Sequence, residues 1–139
     1  MAAPLSPTVI ATLHQRASEA AQNSYSPYSH FRVGAAILLE SGQIVAGTNV
    51  ENASYRLTSC AEQAAIAAAI TLQGPAIRIL AVAVVNLNGA ACMPCGACRQ
   101  TILEFATPET AILYPNAAGE TVSTTLGDLL PAAFRLLPE

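Results

Sequence analysis

Two short runs, Cys60-Ala61-Glu62 and Pro94-Cys95-Gly96-Ala97-Cys98, place the tightest demand on the fold. They lie far apart in sequence, and each opens a segment of helical character. Three thiolates from two such segments can hold one zinc ion and leave its fourth position open for water. Two helix starts must then converge. Cys95 and Cys98 are three apart and face the same way on a helical turn. Glu62 sits about 200° round a helix axis from Cys60, so one can bind metal while the other faces a substrate. A carboxylate so placed can move protons for an attacking water. The positive ends of two helix dipoles would stabilise the thiolates, and a nearby arginine would help offset their net negative charge.

The rest of the chain supplies elements that can meet this demand. Ser6-Pro7 predicts a helix start, and Val9, Ile10, Leu13, Ala17 and Ala20-Ala21 carry the helix to about Asn23. Tyr25-Ser26-Pro27-Tyr28-Ser29 breaks it. Val33–Leu39 and Ile44–Thr48 flank the turn Glu40-Ser41-Gly42 and read as a hairpin. Asn49–Leu57 is polar and irregular. Thr58-Ser59 can cap an alanine-rich helix that runs through Ala69 and ends near Gln73-Gly74-Pro75. Its small residues suit close approach to a sheet. Ile77–Val85 reads as a strand covered on both faces. A third helix is expected over Cys95–Phe105, a short strand over Ala111–Tyr114, and an extended piece from Gly119-Glu120. Thr125 caps a last helix around Leu126–Leu130, stopped by Pro131. The order predicts a three-layer α/β/α domain with a mixed sheet of about five strands, one domain spanning 1–139.

Composition narrows the function. Apolar residues make up 53% and charged residues 11%; there is no lysine, and the six basic residues are all arginine. So charge-poor a surface implies burial against other subunits, hence a homo-oligomer. A net charge of −3 argues against binding a nucleic acid, which needs a basic footprint. No membrane segment is expected, because no run of about 18 apolar residues is free of polar interruption. Met1–Thr8 lacks the pattern of a signal peptide, and four cysteines are too few for a disulfide scaffold. A reduced, cytoplasmic protein is the expectation.

Each candidate also has a plainer reading. Cys60 alone could be a small buried side chain. Cys92 has a spacing that could close a four-cysteine structural site with Cys60, Cys95 and Cys98, which would bind no water. Cys95 and Cys98 could be a redox pair, although the remote third cysteine fits metal better. Glu62 could merely favour a helix dipole. Asn49 and Glu51 could be turn residues, and Phe31 and Phe134 ordinary core. His14 and His30 have no ligand spacing with the cysteines.

Taken together, the motifs resemble those of the small, homotetrameric, zinc-dependent cytidine deaminases. The similarity runs through Phe31-Arg32-Val33-Gly34-Ala35-Ala36, Gly47-Thr48-Asn49-Val50-Glu51-Asn52-Ala53-Ser54-Tyr55 and Thr58-Ser59-Cys60-Ala61-Glu62. It continues in Pro94-Cys95-Gly96-Ala97-Cys98-Arg99-Gln100 and Leu129-Leu130-Pro131, in the family's order over nearly the whole chain. The resemblance implies that Cys60, Cys95 and Cys98 bind Zn2+ and that Glu62 is the general acid/base. It implies that Asn49 and Glu51 bond sugar hydroxyls, that Phe31 packs on the pyrimidine and that backbone near Ala61 and Ser59-Cys60 reads the base. Phe134 resembles a residue that helps cover the nucleoside, and each site borrows residues from neighbouring subunits. The implied reaction is hydrolytic deamination of cytidine and 2′-deoxycytidine. The nearest rival is deamination of a related aminopyrimidine nucleoside such as a blasticidin-type antibiotic. The chain departs from the family pattern at Arg32, where proline is frequent, and at Arg56. It departs again at Gln63, where many members have an arginine that interacts with the thiolates. Arg99, Arg56 or the helix dipoles are the expected compensation for Gln63.

Overall fold

The computed structural model describes residues 5–136. Residues 1–4, where the signal-peptide reading begins, lie outside it. The elements follow in the order α1 (Pro7–Ala21), β1 (Val33–Leu39), β2 (Ile44–Thr48), α2 (Ala61–Gln73), β3 (Ile79–Asn86), α3 (Gly96–Leu103), β4 (Ala111–Pro115), β5 (Thr121–Thr125) and α4 (Leu126–Leu129). A single 3₁₀ turn, Tyr55–Leu57, interrupts the irregular stretch before α2.

The strands form a mixed sheet in the order β2-β1-β3-β4-β5, parallel between β3 and β4 and antiparallel elsewhere. Strand alternation sorts its side chains into two cores. Ala36, Ala81, Ala83 and Leu113 face α1, which presents Leu13 and Ala17. Ala35, Ile37, Val82, Val84 and Ile112 face α2 and α3, which present Ala65, Ile66, Ala69 and Ile102. The register slips between Leu38 and Leu39, and β3 has one extra residue there: Leu38 pairs with Ala81 but Leu39 with Ile79. Leu80, the unpaired residue, turns outward. The expected three layers are present.

Two glycines set how close the layers come. A Cβ on Gly34 would lie 1.8 Å from the Ala17 carbonyl oxygen of α1, and one on Gly47 would lie 2.4 Å from the Ala65 nitrogen of α2. Both helices therefore rest directly on sheet backbone, which explains their alanine-rich faces.

Several element bounds differ from those expected. Strand β3 starts at Ile79 rather than Ile77, because the turn after Gly74 takes up the intervening residues. Helix α3 stops at Leu103 rather than Phe105. Neither Thr58 nor Ser59 caps α2. Ser59 is held extended by two backbone bonds to Val50, each 2.9 Å, and Cys60 becomes the N-cap.

Topology explains what the sheet can position. Helix α2 leaves the end of β2 and returns to the start of β3; α3 leaves the end of β3 and returns to the start of β4. Both helix N-termini therefore lie at one edge, outside the carboxyl ends of those strands, where open α/β sheets bind ligands. Strand β1 runs the other way and begins there too, with Val33 opposite Asn86. Residues near 31, 49, 60 and 95 are thereby gathered at one edge.

Candidate active site

Cys60 and Cys95 each occupy the residue before a helix, in extended conformation, and Cys98 lies in the first turn of α3. Their three Sγ atoms lie within 4.8 Å of one another. Tetrahedral zinc with bonds of about 2.3 Å holds sulfurs ~3.8 Å apart, a spacing within the reach of this set. Cys92 lies outside the cluster. Its N–H donates to the Pro115 carbonyl at 3.1 Å, and burial pushes its thiol up to about 11. The closed four-cysteine arrangement is not formed.

The Cys98 thiol donates to Cys60 and holds Cys60 at about 7, below the ordinary thiol value, against burial and the Glu62 charge. Cys98 itself is pushed up, first by that bond and then by burial. Glu62 is only 4% exposed. Burial raises its carboxyl, opposed by hydrogen bonds from its own backbone N–H and from the Cys98 thiol. Cys60 precedes the helix, so the helical separation of about 200° does not hold Cys60 and Glu62 apart. The Glu62 carboxyl therefore lies against the thiol cluster.

The Gln63 and Arg99 side chains bond backbone groups beside the cluster. The Gln63 Oε1 accepts the Cys60 N–H at 3.2 Å and completes the start of α2. The Arg99 guanidinium donates to the Pro94 and Leu129 carbonyls, each at 2.8 Å, and touches the Met93 sulfur at 3.8 Å. It ties α3 to α4. Arg56, on the 3₁₀ turn, is exposed. The two helix starts bring positive potential to the sulfurs.

A second group lies at the same edge. Asn49 is 8% exposed. Its Oδ1 accepts from Val33 N–H at 3.0 Å and Ser24 Oγ at 2.5 Å, and its Nδ2 donates to the Phe31 carbonyl at 2.8 Å. Glu51 accepts at Oε1 from the N–H groups of Tyr28 (3.0 Å) and Ser29 (3.2 Å), and at Oε2 from Ser29 Oγ. The Ser29 hydroxyl, followed by the backbone bonds, keeps its carboxyl below the usual carboxylate value despite opposing desolvation. Phe31 packs half-buried against the larger core. Ala61 is buried in the first turn of α2, whose N–H groups have no intrahelical partner. Phe134 stands 70% exposed, its carbonyl held by Gln100 Nε2 at 3.0 Å. Ser24, Ser29 and Asn88 belong to no motif or periodic pattern; each acts on residues distant along the chain through loop geometry.

Comparison with known proteins adds an independent line. Residues 7–114 match the family model described as the cytidine and deoxycytidylate deaminase zinc-binding region. A cytidine deaminase of Mycobacterium tuberculosis H37Rv is 47% identical over 124 residues, covering 89% of this chain and 88% of its own. One from Halalkalibacterium halodurans is 41% identical over 122 residues, covering 88% and 91%. The crystal structure of cytidine deaminase from Burkholderia pseudomallei superposes with a TM-score of 0.81 at 39% identity, covering 94% of this chain and 100% of that one. A family model that takes in both cysteine runs, and relatives alike over almost their full length, account for why three thiols and a buried carboxylate meet at one sheet edge: the chain belongs to the cytidine and deoxycytidylate deaminase family.

Proposed function

We propose that the protein hydrolyses cytidine and 2′-deoxycytidine to uridine and 2′-deoxyuridine, releasing ammonia. The observation that carries this reading is the buried Glu62 carboxyl lying against a cluster of three thiols. Zinc held by Cys60, Cys95 and Cys98 supplies, when bound, the acidity that makes water a nucleophile at neutral pH. Glu62 takes a proton as water adds to C4 and gives it to the ring N3. It then takes the proton of the new hydroxyl and delivers it to the departing amine. Burial keeps bulk water from competing for that proton.

The second group holds the nucleoside. Phe31 packs on the pyrimidine, the backbone near Ala61 reads its edge, and Phe134 covers it. Asn49 and Glu51 take the sugar. After their internal bonds, Asn49 keeps one N–H donor and Glu51 one acceptor site. One donor and one acceptor complement a single hydroxyl, which suits ribose and deoxyribose alike.

The catalytic domain is the whole chain, acting as a homotetramer in the cytoplasm without nucleic acid or membrane. Tyr25, Tyr28, Val50, Tyr55 and Leu57, all exposed and close to Glu51 in sequence or by pairing, support a subunit interface beside the sugar side. Four free cysteines suit a reducing compartment. No helix among the described residues is long and apolar enough to cross a membrane.

The test is loss of cytidine ultraviolet absorbance by zinc-loaded protein, with Glu62→Gln alongside. We expect turnover in the wild type and a fall of about 10²–10⁴-fold in the variant with zinc retained. Zinc-loaded wild type that leaves both nucleosides unchanged refutes the assignment.

A further inference from the structure

We propose that Ser29 is a positioning residue for sugar recognition, because its hydroxyl joins the Glu51 carboxylate to the Phe31 backbone. The proposal rests on the reading that Glu51 holds a sugar hydroxyl. Ser29 Oγ donates to Glu51 Oε2 and accepts the Phe31 N–H at 3.0 Å. A single hydroxyl thus sets both the sugar-side carboxylate and the start of the segment carrying the aromatic ring.

The acceptor arithmetic makes this specific. A carboxylate offers about four acceptor sites. On Glu51, the N–H groups of Tyr28 and Ser29 take both sites of Oε1, and the Ser29 hydroxyl takes one on Oε2. The remaining site is on Oε2, the same oxygen that Ser29 grips. Without that grip, the carboxylate keeps its Oε1 anchors but can turn about its last torsion, and the free acceptor loses its aim.

The loop around Ser29 is built to hold this geometry. His30, the next residue, has φ 58°, a left-handed conformation uncommon for a residue with a side chain. Both its backbone groups are bonded: its N–H donates to the Ser26 carbonyl at 2.9 Å, and its carbonyl accepts from Asn88 Nδ2 at 2.9 Å. The Asn88 Oδ1 also accepts the Arg32 N–H at 3.0 Å. This bond needs a backbone N–H at position 32, which a proline there would lack. Strained backbone persists where its surroundings over-determine it. Here they do so between Ser29 and Phe31.

The experiment compares kcat/KM on cytidine with kcat/KM on 2′,3′-dideoxycytidine, which lacks the 2′- and 3′-hydroxyls and keeps the 5′-hydroxyl. The ratio is measured for wild type, Ser29→Ala, Ser29→Thr and Glu51→Gln. We expect Ser29→Ala to lower the ratio about tenfold, nearly all of it from KM on cytidine. Ser29→Thr, which keeps the hydroxyl, restores it to within about threefold of wild type. A Ser29→Ala loss equal on both substrates means a general structural role and overturns the proposal. A ratio that collapses in Glu51→Gln but holds in Ser29→Ala overturns it alone. A ratio untouched in Glu51→Gln overturns the sugar reading and the proposal with it.

Discussion

Gly47→Ala tests whether the contact between α2 and the sheet sets the geometry of the site. The new Cβ would lie 2.4 Å from the Ala65 nitrogen, 2.8 Å from the Ala61 oxygen and 2.8 Å from the Ala64 carbonyl carbon. All three are helix backbone, so no flexible side chain can yield. Reaching ordinary contact at 3.4 Å needs a shift of 3.4 − 2.4, about 1 Å, in the first turns of α2. Those turns carry Glu62 and follow Cys60. Overpacking of this kind costs about 1–3 kcal/mol. A 1 Å misplacement at a reacting centre costs about a hundredfold in rate.

Gly34→Ala is the control. Its Cβ would meet the Ala17 oxygen at 1.8 Å, a harder clash, but against α1 on the opposite face. The assays are thermal melting, zinc affinity by competition with a chromophoric chelator, and kcat per zinc-loaded chain. Both variants should melt lower. Gly47→Ala should also lose about 10–100-fold in zinc affinity and about a hundredfold in kcat. Gly34→Ala should keep zinc affinity near wild type in its folded fraction. Zinc affinity that falls equally in both, or holds in Gly47→Ala, refutes the reasoning.

Two further outcomes are expected. Cys92→Ser should retain one zinc per chain and its deaminase activity, because Cys92 lies outside the thiol cluster; loss of zinc measured by elemental analysis would restore the closed-site reading. Light scattering should give the mass of four chains, with Tyr55→Glu and Leu57→Glu shifting it downward. A wild-type monomer would sink the interface placed around those exposed side chains.

Much of the fold was legible because its signals are local. The bounds of β1 and β2 follow from an apolar run broken by Glu40-Ser41-Gly42, with Gly42 at φ 91°. Ser6 caps α1 through a bond from Val9 N–H at 3.2 Å, as Ser-Pro predicts. The start of α2 was misread because a residue that can cap need not do so: Ser59 is committed to pairing with Val50, a contact the sequence does not advertise. Gln63 was legible as a departure and Arg99 as its expected compensation, but the partner of neither was. One bonds a backbone N–H three residues back, and the other a carbonyl thirty residues on. The thiol cluster was readable from spacing, whereas the bonds that hold Asn49, Glu51 and Phe31 join loops without periodicity.

The convergence of Cys60 with Cys95 has a consequence for the chain as a polymer. A metal gripping both ties a loop of about 35 residues that encloses α2 and β3, the middle strand of the sheet. The unfolded chain can offer these thiols to one ion only by closing that loop, so the ion binds the folded chain far more tightly, and that difference is folding stability. The zinc site is then a staple as well as a reaction centre. Stripping the ion removes that stabilisation, so holding the fold and making the nucleophile depend on the same three sulfurs.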